Sequence, residues 1–155
     1  MYYELYQSIK QQVAGALGLE TGPDGGLTGG TEPGGLQDIR WFTNQYEGGT
    51  VTTAPCLLVE CLPLAMSRQM KEAGTTDIGV RLHVVSALAG DAEGVVEDSD
   101  VEAHEALALR VLAAVEDGTF RFDGGVTRPL RLAAWAYQPK QKGYLVTWID
   151  LKTKG

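Results

Sequence analysis

The stretch "TTDIGVRLHVVSA", residues 75–87, decides the fold class. Ile78, Val80, Leu82 and Val84 fall on one side of an extended chain, and Asp77, Gly79, Arg81 and His83 on the other. Strict alternation over eight or more residues is the period of a strand with one buried face. It therefore predicts a sheet that is apolar on one side and wet or partner-facing on the other.

Working backward, "TTAPCLLVECLPL" (52–64) carries a continuous apolar run bounded by Pro55 and Pro63. It reads as a buried strand over about 56–61, because proline punctuates strand ends. Cys56 and Cys61 lie five apart, which points them to opposite faces and rules out a bridge between them within that strand. Their spacing fits neither a redox CxxC pair nor a zinc knuckle, so two buried thiols are expected. Upstream, "LQDIRWFTNQYEGG" (36–49) carries Ile39, Trp41, Phe42 and Tyr46 and predicts a short helix or strand ending at Gly48. Residues 2–17 place Leu5, Ile9, Val13 and Leu17 four apart, with Tyr2 and Tyr6 widening the stripe, as in an amphipathic helix that stops at Gly18.

Working forward, the acidic "GDAEGVVEDSD" (90–100) reads as a loop, and Ser99 with Glu102 forms an S-x-x-E capping pattern. The helix it opens runs from about 100 to 117, burying Ala103, Leu107, Val111 and Val115, with Gly118 as its stop. The remainder turns back to strand character in "FRF", "VTRPLRLAAWAYQ" (126–138) and "GYLVTWIDL" (143–151), with Lys140, Lys142 and Gly143 at a hairpin turn between the last two. The order gives one α+β domain over residues 1–155, a mainly antiparallel sheet of four to five strands packed with an N-terminal and a central helix.

"GLETGPDGGLTGGTEPGGLQ" (18–37) is conspicuous for its glycines, but it is not a phosphate cradle. No GxGxxG spacing and no Lys or Arg is present, while Asp24 and Glu32 would repel a phosphate. A flexible loop is expected there.

The formal net charge of −7 disfavours duplex binding, which needs Lys and Arg to displace counterions, so no sequence-specific nucleic-acid binding is expected. No run of about 18 apolar residues occurs, and "MYYELYQSIK" lacks the pattern of a signal peptide, so neither a membrane partner nor export is expected.

Candidate chemistry is sparse. His83 beside Arg81, with Glu60 across the neighbouring strand, is the strongest catalytic pattern, but no GxSxG or other nucleophile motif accompanies it. Asp91, Glu93, Glu97, Asp98 and Asp100 offer oxygens without the D-x-D-x-D-G order of a calcium loop. His104 lies between Glu102 and Glu105 outside any H-E-x-x-H pattern. No catalytic residue, metal or cofactor is therefore assigned. The final strand has Tyr144, Val146 and Trp148 on one face and Leu145, Ile149 and Leu151 on the other, which predicts a helix against one face and a partner against the second. Arg81, His83, Trp135, Tyr137, Tyr144 and Trp148 are the candidate interface residues.

The ordered set of N-terminal helix, "APCLLVE", "VRLHVVSA" with its acidic loop, "HEALALRVLAAVED", "VTRPLRL" and closing "YLVTWIDL" resembles the tail terminator, or tail completion, proteins of long-tailed bacteriophages and prophages. That resemblance covers most of the chain after about residue 54 and rests on strand patterns. It implies a non-enzymatic structural protein forming a ring, typically hexameric, whose partners are further copies of itself, the tail tube protein and the head-tail connector proteins. It also implies residence in the host cytoplasm during assembly and then in the virion tail or neck, with the glycine loop as an arm that orders on a neighbour. A head-to-tail connector or stopper protein, or an unrelated small oligomeric interaction domain, is the alternative.

Overall fold

The computed structural model describes residues 2–22, 27–28, 35–51, 53–62, 78–88, 96–139 and 143–153. Its architecture is α+β: helix α1 (Tyr2–Leu17) and helix α2 (Asp98–Val115) lie on one face of a five-stranded sheet. The sheet contains β3 (Asp38–Trp41), β4 (Cys56–Cys61), β5 (Gly79–Ala87), β8 (Leu130–Tyr137) and β9 (Tyr144–Thr153), in the spatial order β3-β4-β5-β9-β8. All neighbours are antiparallel except β3 and β4, which run parallel. The described residues also contain two short hairpins, β1 (Glu20–Thr21) with β2 (Leu27–Thr28), and β6 (Arg121–Phe122) with β7 (Gly125–Val126).

α1 buries Leu5, Tyr6, Ile9, Val13, Ala14 and Leu17, the expected stripe. Its end is closed by Gly18 at φ +76 and by Leu19 N–H donating to the Ala14 carbonyl at 2.9 Å. This six-to-one bond across a left-handed residue is the Schellman closure, which glycine adopts without a Cβ penalty. Leu19 is then drawn into the core, as is Leu36 at the far end of the glycine-rich segment. That segment is therefore tied down at both ends and carries the β1–β2 pair, so it is not a loop throughout. Residues 23–26 and 29–34 of the expected arm lie outside the described residues.

α2 begins earlier than the capping pattern predicts. Glu97 is the N-cap, extended at φ −68 and ψ 136, with no side-chain cap bond, so Ser99 lies inside the first turn. Asp98 and Asp100 in that turn supply negative charge to the positive end of the helix. The buried stripe is His104, Leu107, Ala108, Val111 and Val115; Ala103, expected inside, is exposed, because His104 is the residue in phase with Leu107 and Val111. At the C-terminus it is Asp117, at φ +64, that takes the left-handed turn, not Gly118. Gly118 is small for a different reason: a Cβ there would approach the Phe120 ring at 2.9 Å and the Val115 carbonyl at 3.0 Å. Asp117 N–H donates to Leu130 O at 2.7 Å and Leu130 N–H to Gly118 O at 3.0 Å, stitching the helix exit to the start of β8.

Ile39, Leu57, Val59, Val80, Leu82, Val84, Ile149 and Leu151 face the helices and form the main core. α1 packs over β3 and β4, and α2 over β5 and β9. Helices sit 8–10 Å apart and strands about 4.8 Å apart, so two helices span roughly four strands. Among the described residues neither helix covers the fifth, β8: apart from Leu130 and the half-buried Ala136, its residues are exposed. A register shift between Leu132 and Ala134 marks a bulge in this edge strand.

Candidate functional site

The sheet face away from the helices holds a second, smaller core of Tyr46, Cys56, Leu58, Val85 and Val146, flanked by Phe42, Val51, Tyr144 and Trp148. Its origin is topological. A parallel pair such as β3–β4 cannot be closed by a hairpin, so the chain between Trp41 and Cys56 must cross over. Its described residues form no helix or strand; they lay Phe42 and Tyr46 across the sheet, with Asn44 taking a positive φ of 63 between them.

His83 sits beneath that cover. Phe42 stacks on its ring at 3.9 Å and 8°, and Trp148 meets it edge-on at 5.6 Å. The Trp148 Nε1–H donates to Tyr46 Oη at 3.0 Å, Tyr46 Oη lies 2.9 Å from His83 Nδ1, and His83 Nε2 lies 2.8 Å from Glu60 Oε1. The Glu60 carboxylate accepts, which puts the His83 proton on Nε2 and leaves Nδ1 to accept from the Tyr46 hydroxyl, while the Tyr46 oxygen accepts from the indole N–H. Burial pushes the His83 imidazole down to about 4, against the opposing pull of Glu60. It is neutral at pH 7, and both ring nitrogens are engaged.

Beside it, Arg81 forms a bidentate pair with Asp150, Nε to Oδ1 at 2.8 Å and Nη2 to Oδ2 at 3.0 Å, and its guanidinium lies 4.1 Å from the Trp148 ring centre. The cross-strand register accounts for the cluster. Arg81 pairs with Glu60 and Asp150, and His83 with Leu58 and Trp148.

The expectation of a wet or partner-facing His83 is thus corrected: the residue is 1% exposed, covered by the chain's own crossover, and cannot touch a partner. The second apolar face of the last strand is likewise occupied by that crossover. Of the six candidate interface residues, Arg81, Tyr144 and Trp148 are half-buried in this cluster, and Trp135 and Tyr137 stand exposed on β8. Asp77 of the predicted outer face lies outside the described residues, as do Asp91 and Glu93.

The helix side holds a second polar link that sequence reasoning missed. His104 Nδ1 is 2.7 Å from Ser86 Oγ and its Nε2 is 2.9 Å from Thr147 Oγ1, tying α2 to β5 and β9. The signal was present in the helical phase of His104 with Leu107 and Val111. Burial lowers the pKa of this imidazole also.

His83, the base of the Tyr46–His83–Glu60 relay, is 1% exposed beneath Phe42, and Cys56 and Cys61 are pushed up to about 12 and about 11 by burial, which keeps them as thiols. They are free and point to opposite faces, as predicted, Cys61 toward the main core and Cys56 into the second. A half-open cavity of about 240 Å³ lies at the β3–β4 corner against Asp38, Arg40, Gln45, Thr50 and Cys56. Its one cation, Arg40, is held by Asp38 at 2.6 Å. Among the described residues no cluster of metal-ligating side chains occurs, and no helix is long and apolar enough to cross a membrane. No family model matches the chain, and no curated protein matches it.

Proposed function

We propose that this protein is a structural subunit of a long-tailed phage or prophage: a ring that caps the tail tube and joins it to the head connector. The observation that carries the reading is β8. A long, exposed edge strand bearing Leu132, Trp135 and Tyr137 is an aggregation hazard in a free monomer and a normal feature of a subunit whose edge is covered on assembly. The order of strand patterns after residue 54 supplies the rest, through its resemblance to tail terminator proteins.

In this reading the buried Trp148–Tyr46–His83–Glu60 chain serves rigidity: it fixes the crossover to the sheet, so that one face is finished within the subunit and the bare edge is left for assembly. The acidic charge suits a ring near passing DNA, because negative surfaces do not retain a polyanion. Assembly would take place in the host cytoplasm, with the finished ring in the tail or neck.

The test is incubation with tail tubes assembled from the tube protein of the same virus, followed by electron microscopy of labelled protein. Label at one end of each tube is the expected result. Label along the tube wall, or none, would remove the tail-capping assignment.

A further inference from the structure

The crossover between β3 and β4 does not fill the space beneath it at the β3–β4 corner. The cavity left there has an apolar floor of Cys56 and Leu58, both buried, with the half-buried Val51 beside them. Asp38 and Arg40 line it from the neighbouring strand. Register sets this arrangement: Asp38 pairs with Cys56 and Arg40 with Leu58, so acid and base stand beside the floor residues on the same sheet face. Gln45 holds the opposite wall in place. Its Oε1 accepts from Thr43 N–H at 2.7 Å, its Nε2 donates to Trp41 O at 2.8 Å, and its own carbonyl accepts from Thr50 N–H at 2.9 Å. A wall wired in this way is preformed, which spares a ligand the cost of ordering it.

The two charged groups do not exhaust each other. One bond joins them, Arg40 Nε to Asp38 Oδ2 at 2.6 Å, and Asp38 Oδ1 accepts from Ile39 N–H at 2.9 Å. Among the described residues no hydrogen bond engages Arg40 Nη1 or Nη2, the end-on fork that matches a carboxylate, and each Asp38 oxygen keeps a second lone pair.

We infer that this cavity binds a free α-amino acid with an aliphatic side chain, its carboxylate on the Arg40 fork, its ammonium on Asp38 and its side chain over Cys56, Leu58 and Val51. The inference goes beyond the assembly role and does not depend on it. Charge selects the zwitterion. The Asp38–Arg40 pair is neutral as a whole, so a simple anion would reach Arg40 only by facing Asp38, and a simple cation would meet the reverse; a ligand carrying both charges finds an opposite charge at each end. Size selects the class. A volume of about 240 Å³ equals the share of about eight waters, close to the bulk of valine or leucine and below the roughly 300–1,000 Å³ of sites for drug-sized ligands. The Arg40 side chain is 67% exposed and Asp38 13%, so the charged end of the ligand sits at the mouth and its apolar end inside. Partly solvated charge contacts are weak, which sets the expected Kd on the order of 1 mM.

The test is saturation-transfer NMR on the full-length protein with L-leucine, 4-methylpentanoate and 3-methylbutylamine, the last two being leucine without its ammonium and without its carboxylate. The method reads weak ligands whatever the size of the protein assembly. The expected result is saturable transfer to leucine, strongest at its methyl groups, with each analogue binding at least about tenfold more weakly, since each leaves one member of the pair unmatched. Arg40→Gln, at an exposed side chain, and Asp38→Asn should each weaken leucine by a similar factor with native circular dichroism retained. Should Asp38→Asn disturb the fold through its bond to Ile39 N–H, Arg40→Gln alone decides the point. No transfer to leucine at roughly 10 mM, an analogue that binds as tightly as leucine, or an Arg40→Gln protein that binds like the wild type would each overturn the inference.

Discussion

Tyr46→Phe isolates the polar chain under the crossover. The ring, and so its contacts with Phe42 and His83, is retained; what is lost is one oxygen that accepts from Trp148 Nε1 at 3.0 Å and donates to His83 Nδ1 at 2.9 Å. His83 Nδ1 would be left as a buried acceptor with no partner, and Trp148 as a half-buried donor. An unpartnered buried group costs about 1–3 kcal/mol, so the two together predict a loss of about 3 kcal/mol. For a chain of this length each kcal/mol lowers Tm by roughly 2–4 °C, which gives a fall of about 6–12 °C. The assay is urea unfolding followed by circular dichroism and tryptophan fluorescence, with the midpoint falling and the m-value unchanged. Tyr3→Phe is the control, because its hydroxyl contacts Gln7 at the surface and its loss should cost less than about 0.5 kcal/mol. A loss at Tyr46 as small as that of the control would refute the claim that this chain pins the crossover.

Two further predictions follow from the buried titratable groups. An unfolded histidine takes up its proton near 6.5, while folded His83 refuses it until about 4, so its contribution is complete above pH 6.5 and is lost as the pH falls through that window. At about 1.4 kcal/mol per pH unit the loss is about 3 kcal/mol at most, and His83→Gln should flatten the wild type's stability curve between those values; parallel curves would contradict the assignment. The Cys56 thiol, buried and held near 12, should label with iodoacetamide at pH 8 far more slowly in the native protein than in urea, with the half-buried Cys61 labelling before it, and equal rates for Cys56 in the two states would show that it is not enclosed.

The sequence carried the fold class because its signals were periodic: the alternation of Ile78, Val80, Leu82 and Val84 and the four-residue spacing of Leu5, Ile9, Val13 and Leu17 report the faces they occupy. The cover of the second sheet face was not legible. Phe42 and Tyr46 lie in a non-periodic turn, and their placement follows from the parallel pairing of β3 with β4, a long-range choice that no local pattern encodes. His83 was misread for that reason: alternation tells which face a residue is on, and says nothing of what lies over it. Glu60 is legible beside Arg81 and His83 because β4 and β5 are consecutive strands of one antiparallel pair, in which Glu60 falls opposite Arg81. The exposure of Trp135 and Tyr137 follows from the two described helices lying over β3, β4, β5 and β9, which requires the topology first.

The central claim is that the bare β8 edge belongs to a ring. The most direct measurement is the mass of the purified protein across a concentration series, with negative-stain images of the same fractions. The account predicts a discrete oligomer and rings with a central hole. A monomer at every concentration that also fails to assemble in the presence of tail tubes would contradict it.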